Sequence, residues 1–163
     1  MLAINSFFHS GCLLKVVNET IISLIPKIES PLSVMHYRPI SLCTVLYKII
    51  SKIIANRLKH VLQHCISISQ SAFIPGRQIL DNVVVAHEIF YFLKNRRKGK
   101  TGFMAIKLNM SKAYHSVEWI FLGRLMMKMG FCPIFVKWIM VCLSTVTYSF
   151  NLNGQKVGNV KPS

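Results

Sequence analysis

The stretch from Thr44 to Gln63 carries apolar residues at positions 45, 46, 49, 50, 53, 54, 58, 61 and 62, one broad stripe at the helical period. A helix with an apolar face this wide has to be covered by a second layer of structure. Lys48, Lys52 and Lys59 fall on the opposite face and read as a solvated side. Arg57 is the exception, because at 100° per residue it lands within the apolar arc near Ile50 and Ile53. A guanidinium there needs a carboxylate or several carbonyls, and Asp81 and Glu88 are the candidate partners in a structural ion pair.

The covering layer is suggested by segments of a different period. Asn18 to Pro26 reads as a short strand stopped by proline, and Lys27 to Pro39 as a loop punctuated by Pro31 and Pro39. Phe103 to Met110 alternates: Met104, Ile106, Leu108 and Met110 share one face, and Phe103, Ala105, Lys107 and Asn109 share the other. One face is apolar throughout and the other turns polar toward its end, the pattern of a sheet packed on helices on one side and facing a cleft on the other. Thr145 to Asn153 reads as a further strand, and Asn153-Gly154 as a hairpin turn with little second strand after it. Further helices are expected over Asn82 to Asn95, with Asp81 as its cap, and over Glu118 to Met129 and Pro133 to Ser144, split by Gly130. Ser67 to Ile79 is a loop built around Pro75-Gly76. The run from Asn95 to Lys100 is basic and reads equally as a solvated turn or as a phosphate contact.

Charge narrows the function. Among 163 residues, 20 Lys and Arg stand against five acids, for a net charge of +15. That excess points to a polyanion, nucleic acid first and an anionic membrane surface second. The acids are Glu19, Glu29, Asp81, Glu88 and Glu118, so chemistry that needs clustered carboxylates has little to draw on. The five cysteines show no C-x-x-C spacing, which argues against a zinc knuckle or a disulfide framework and for buried free thiols in a reducing compartment. Residues 1–17 are apolar but lack a basic start and a cleavage site, a poor match to a signal peptide. The apolar stretch Ile134 to Phe150 is interrupted by Lys137. Its remainder after Lys137 is shorter than the ~20 residues a membrane-spanning helix needs, so no membrane partner is expected.

Seven segments in order carry a resemblance: NETIISLIPK (Asn18 to Lys27), YRPISLC (Tyr37 to Cys43), YKIISKIIANRLK (Tyr47 to Lys59), QSAFIPGRQILDN (Gln70 to Asn82), IKLNMSKAYHSVEW (Ile106 to Trp119), MGF (Met129 to Phe131) and TVTYSFNLNG (Thr145 to Gly154). Together they resemble the reverse transcriptase of plant LINE-type, non-LTR retrotransposons. The resemblance implies an α+β chain, a partial right-hand polymerase fold of fingers and incomplete palm with helices packed on a small antiparallel sheet. Residues 1–17 are then an N-terminal extension, 18–100 a fingers-like region and 101–163 part of a palm. The implied chemistry is nucleotidyl transfer from a deoxynucleoside triphosphate to a primer 3′-OH, copying RNA. In the intact family, two Mg²⁺ ions about 4 Å apart are held by aspartates, because hard cations prefer carboxylate oxygens.

Carried over position by position, the resemblance puts Asn109 where the family has a metal-binding aspartate and His115 where it has a second one. Asn offers a carbonyl oxygen without charge. No metal or other cofactor is therefore expected for this chain, and Asn109 marks a lost ligand. Tyr114 matches an aromatic that stacks under the sugar and rejects a 2′-OH, and reads equally as a core aromatic. Lys27 and Arg38 match a basic pair gripping the triphosphate, Lys as a point charge and Arg as a bidentate donor. Gln70 and Arg77 lie on a segment that approaches the template. The family's Asp-Asp turn does not occur in the sequence. The expectation is thus a catalytically inactive fragment, nuclear or cytoplasmic, that binds RNA and DNA without sequence preference and in a salt-sensitive way, with no defined protein partner. The other reading is a basic nucleic-acid-binding module without catalysis.

Overall fold

The computed structural model describes residues 2–96, 102–109 and 117–162. The chain separates into two compact units, residues 1–55 with 118–163, and residues 56–117. Helix α2, Val45–Cys65, gives its first half to one and its second half to the other.

The first unit is built on a four-stranded sheet in the order β2-β1-β3-β4. Strand β1 (Glu19–Pro26) pairs antiparallel with β2 (Tyr37–Cys43) and parallel with β3 (Thr147–Leu152), which pairs antiparallel with β4 (Gln155–Val160). The α+β class is as expected, but the sheet is mixed rather than wholly antiparallel, because β1 and β3 run side by side in the same direction. Strand β2 takes up the end of the expected loop and coincides with the segment YRPISLC. Pro39 lies within it, and proline is tolerated because β2 is an edge strand. Strand β4 is a full six-residue strand rather than a bare beginning. The turn before it has both Asn153 and Gly154 at positive φ, 52° and 83°, as a two-residue hairpin of the primed type needs.

Helix α1 (Leu2–Ser10), within the segment expected as an extension, supplies the most buried aromatic of the core. Phe7 packs in one cluster with Ile50 and Ile54 of α2 and Cys142 of α5 (Pro133–Ser144), and Phe8, Tyr47, Phe135 and Trp138 pack around it. Phe8 meets Phe7 and Trp138 edge-to-face, with ring centroids 5.1 and 5.0 Å apart. Burying a Phe of this kind is worth about 3–5 kcal/mol against alanine.

Two polar residues fix the joints. The Thr44 hydroxyl accepts from the Tyr47 N–H at 3.2 Å, capping the first turn of α2, and donates to the Val17 carbonyl at 2.5 Å. Asn18 is 1% exposed, and its Nδ2 donates to the Cys142 carbonyl and to Thr145 Oγ1, both at 2.8 Å, closing the C-terminal end of α5. Glu19 at the start of β1 is ion-paired with Lys156 of β4. Helix α4 (Trp119–Lys128) precedes α5, with Gly130 at positive φ between them.

In the second unit, α3 runs over Ile79–Asn95, starting three residues earlier than expected. Asp81 therefore sits in its first turn rather than capping it, since the Asp81 N–H already bonds back to the Gln78 carbonyl. None of the α3 residues is buried. Arg57 is exposed, contrary to the expectation that it is buried within the apolar arc, because burial on α2 is confined to Ile50 and Ile54 in its first half. Residues 102–109 form no regular element, so the expected strand there is not present among the described residues. The alternating pattern is real, but Met104, Ile106 and Leu108 are all exposed and, among the described residues, no strand pairs with this segment, and a strand is stable only within a ladder. At the end of α3 the Arg96 guanidinium lies over the Phe103 ring at 4.1 Å and the Phe92 ring at 5.7 Å, which engages this member of the basic run.

All five cysteines are free, and only Cys142 is buried, so the reading of buried thiols holds for one of them. Among the described residues no helix is long and apolar enough to cross a membrane.

Candidate functional site

Lys27 and Arg38 come together on one hairpin. The ladder between β1 and β2 ends with Ile25 opposite Arg38 and Pro26 opposite Tyr37, and the Lys27 N–H extends it by bonding the His36 carbonyl at 2.8 Å. Alternation along the ladder carries Lys27 and Arg38 to the same side of the hairpin end. Both side chains are exposed. Lys27 Nζ donates to the Met35 carbonyl at 3.0 Å, which steadies the ammonium and leaves two of its three donors for an anion. The connection folds a short 3₁₀ turn at Val34–His36, capped by Ser33, whose hydroxyl accepts from the Met35 N–H.

Gln70 and Arg77 also come together, on the loop that enters α3. Arg77 Nη1 donates to the Ser67 carbonyl at 2.6 Å and to the Gln70 carbonyl at 2.5 Å. Asn82 Nδ2, from the first turns of α3, donates to Ser71 Oγ at 2.8 Å and reaches the Ser69 carbonyl at 3.4 Å. Ser71 and Ile74 are buried, while Gln70 is exposed. The loop is therefore a stapled unit, with Arg77 acting on its backbone from within. Nη1 is engaged, while the rest of the guanidinium keeps its other donors.

Phe73 carries no signal in the sequence. It is 81% exposed and sits at φ 64° between the buried Ser71 and Ile74. A bulky non-glycine residue in the left-handed region costs on the order of 1–3 kcal/mol, and such strain clusters where a side chain has to be presented. The motif QSAFIPGR reads as an ordinary loop with glycine as its flexible member, so residue identity alone gives no hint of the strain.

Asn109 is exposed in the irregular segment 102–109. Tyr114 and His115 lie outside the described residues. Glu19, Glu29, Asp81, Glu88 and Glu118 do not converge: among the described residues no three His, Cys, Asp or Glu side chains come together as a metal site would require. Asn109, where the sequence resemblance implies a metal-binding aspartate, is a neutral amide. The donor set of the described residues does not fit a pair of divalent cations.

Two hydroxyl and thiol groups in the core of the first unit have shifted acidity. Burial, reinforced by Cys142, Cys43 and Tyr148 nearby, pushes the Tyr47 hydroxyl up to about 12. Burial pushes the Cys142 thiol up to about 11. Both are neutral core groups and neither is an activated nucleophile.

Over residues 25–162 the chain matches the family model described as reverse transcriptase (RNA-dependent DNA polymerase). It is also similar to a protein of Xenopus laevis described as the transposon TX1 uncharacterized 149 kDa protein, with 33% identity over 132 residues, 81% of this chain. The matched region is 10% of that protein's length, so the chain spans about a tenth of its relative. With the helices, the mixed sheet and this match together, the fold is part of the right-hand polymerase fold, and the chain belongs to the reverse transcriptase family.

Proposed function

We propose that this chain is a nucleic-acid-binding part of a reverse transcriptase from a non-LTR retrotransposon, of the LINE type found in plants, and that it does not itself polymerise. Family membership over residues 25–162 carries the first half of the reading. The neutral amide at Asn109, where the resemblance has a metal-binding aspartate, carries the second. Residues 18–100 are read as fingers-like and 101–163 as part of a palm. Lys27 and Arg38, two exposed cations at one hairpin end, suit the phosphates of a nucleic acid or a nucleoside triphosphate, and Gln70 and Arg77 belong to a loop facing the template. The net charge of +15 supports RNA and DNA as partners held without sequence preference.

The test is a salt titration of binding to single-stranded RNA. Affinity should fall steeply as salt rises, because each neutralised phosphate releases counterions. Binding that is absent, or that is the same in low and high salt, contradicts the reading.

A further inference from the structure

One histidine of the Lys27–Arg38 hairpin is assigned neither by the family match nor by the sequence motifs. The Lys27 N–H bonds the His36 carbonyl at 2.8 Å, one step beyond the last ladder pair, Pro26 with Tyr37. Lys27 and His36 are therefore neighbours across the hairpin, on the same side of it. Arg38 lies two residues further along and shares that side. The half-buried His36 thus stands between the two exposed cations. Its ring has a further attachment, because the Leu32 N–H donates to His36 Nδ1 at 3.2 Å. A backbone N–H only donates, so Nδ1 carries no proton and the neutral ring holds its hydrogen on Nε2. That bond matters to the whole connection between β1 and β2. Ile28, Leu32, Val34 and Met35 are all exposed there, so apolar burial holds it weakly and hydrogen bonds set its shape. Those bonds run from Leu32 to the His36 ring, from the His36 N–H to the Ser33 carbonyl at 2.9 Å, and from Lys27 Nζ to the Met35 carbonyl.

We propose that His36 is a proton-operated latch on this hairpin and, once protonated, a third cation for the phosphates of nucleic acid. Histidine is the side chain that changes charge between about pH 5 and 8. A proton on Nδ1 turns the acceptor into a donor, and the bond from Leu32 is lost. The ring then leaves the connection as an imidazolium with an N–H donor on each nitrogen. The turn that fixes the Met35 carbonyl loosens with it, which releases the third donor of Lys27. The hairpin end then offers a phosphate three cations on one side, where the neutral form offers two and a tethered ring. The charged groups around the ring are Lys27, Arg38 and Glu29 of the connection, and among the described residues none of them is ion-paired. A phosphate between the three cations offsets their mutual repulsion. Proton uptake and phosphate binding are then coupled, and each strengthens the other by the same factor. This proposal rests on the reading that the hairpin holds phosphates, and adds to it a dependence on pH and the residue that carries it.

The test uses the full 163-residue chain and a labelled oligothymidylate without terminal phosphate, whose phosphodiesters keep their charge as pH changes. Fluorescence anisotropy at about pH 8 and about pH 5.5 reads affinity, and nuclear magnetic resonance reads the Leu32 amide. His36→Asn leaves an uncharged acceptor near the place of Nδ1, and His36→Lys fixes a positive charge on the same side. The remaining histidines are common to all three proteins, so their titration cancels in affinity ratios. Relative to His36→Asn, the wild-type chain should bind equally at the higher pH. At the lower pH it should bind roughly two- to five-fold more tightly, with a salt slope larger by about one. His36→Lys should show the tighter binding at both. Protection of the Leu32 amide, taken against an unstructured peptide at each pH, should fall roughly two- to twelve-fold on acidification of the wild type and stay constant in His36→Asn. Unchanged circular-dichroism melts confirm that each variant folds. A ratio of wild-type to His36→Asn affinity that is the same at both pH values, while binding persists, overturns the third cation and leaves the broader reading standing. Leu32 protection that does not respond to pH overturns the latch. No binding by the wild-type chain at either pH overturns the phosphate reading and this proposal together.

Discussion

Arg77 holds Gln70 by its backbone: the guanidinium Nη1 donates to the Gln70 carbonyl at 2.5 Å, seven residues back along the same loop. The same nitrogen reaches the Ser67 carbonyl, so one planar group closes the whole loop before α3. Removing Arg77 therefore alters more than a contact with nucleic acid. In Arg77→Ala, amide exchange within residues 67–77 should quicken by roughly ten-fold, about 1.4 kcal/mol, as charged hydrogen bonds are lost. Gln70→Ala should leave exchange unchanged, because the bond uses only its carbonyl. Hydrogen-exchange mass spectrometry separates the two. Equal protection in wild type and Arg77→Ala contradicts the staple.

Asn18 is the second structural lock. Its side chain donates two buried hydrogen bonds to the end of α5. Asn18→Ala should cost about 1–3 kcal/mol, since it removes both donors and leaves the Cys142 carbonyl with fewer partners. Thermal melting should drop by several degrees. A melting point within error of wild type counts against this role.

The alkaline limit of stability follows from Tyr47 and Cys142. Their folded values, about 12 and about 11, lie above the ordinary 10.0 and 9.0. The folded chain thus holds these protons more tightly than the unfolded one, so full stability is present below pH 9 and is lost as pH rises through 11 to 12. Tyr47→Phe should flatten the upper part of that decline, between about pH 10 and 12. Melting curves against pH for the two proteins provide the check, and identical slopes contradict it.

The hairpin cations give a separate prediction. Lys27→Ala and Arg38→Ala should each weaken RNA binding and lower the salt slope by about one, uniformly across sequences. Filter binding at several salt concentrations reads both quantities. An unchanged slope in both variants removes the hairpin from the interface.

Much of the secondary structure is legible in the sequence because it rests on local signals. The stripe on α2, Pro133 at the start of α5 and the Asn153-Gly154 turn each come from side-chain period or backbone preference, and each is present. The features that sequence misses depend on partners distant along the chain. Alternation at Met104, Ile106 and Leu108 is the pattern of a strand, but a ladder has to exist to receive it, and none does among the described residues. Strand β2 is hidden by Pro39, whose tolerance depends on an edge position that only the topology reveals. The parallel pairing of β1 with β3 joins residues more than a hundred positions apart, beyond any local pattern. Among the proposed site residues, the charged members Lys27, Arg38 and Arg77 are singled out through motif order. Phe73 is not, because its distinction lies in its backbone angle and exposure rather than in its identity.

The central claim is that this member of the reverse transcriptase family binds nucleic acid without extending it. Two divalent cations and a triphosphate need fixed carboxylates, and Asn109 supplies none at its position. The most direct measurement is incorporation of labelled deoxynucleotide on a primed RNA template, with magnesium or manganese, at a protein concentration where binding to that same template is saturated. Retained template and no incorporation are expected. The same outcome is expected for Asn109→Asp and for Asn109→Asp with His115→Asp, since neither change supplies an Asp-Asp turn. Template-dependent incorporation by the unmodified chain, above a heat-killed control, would contradict the claim.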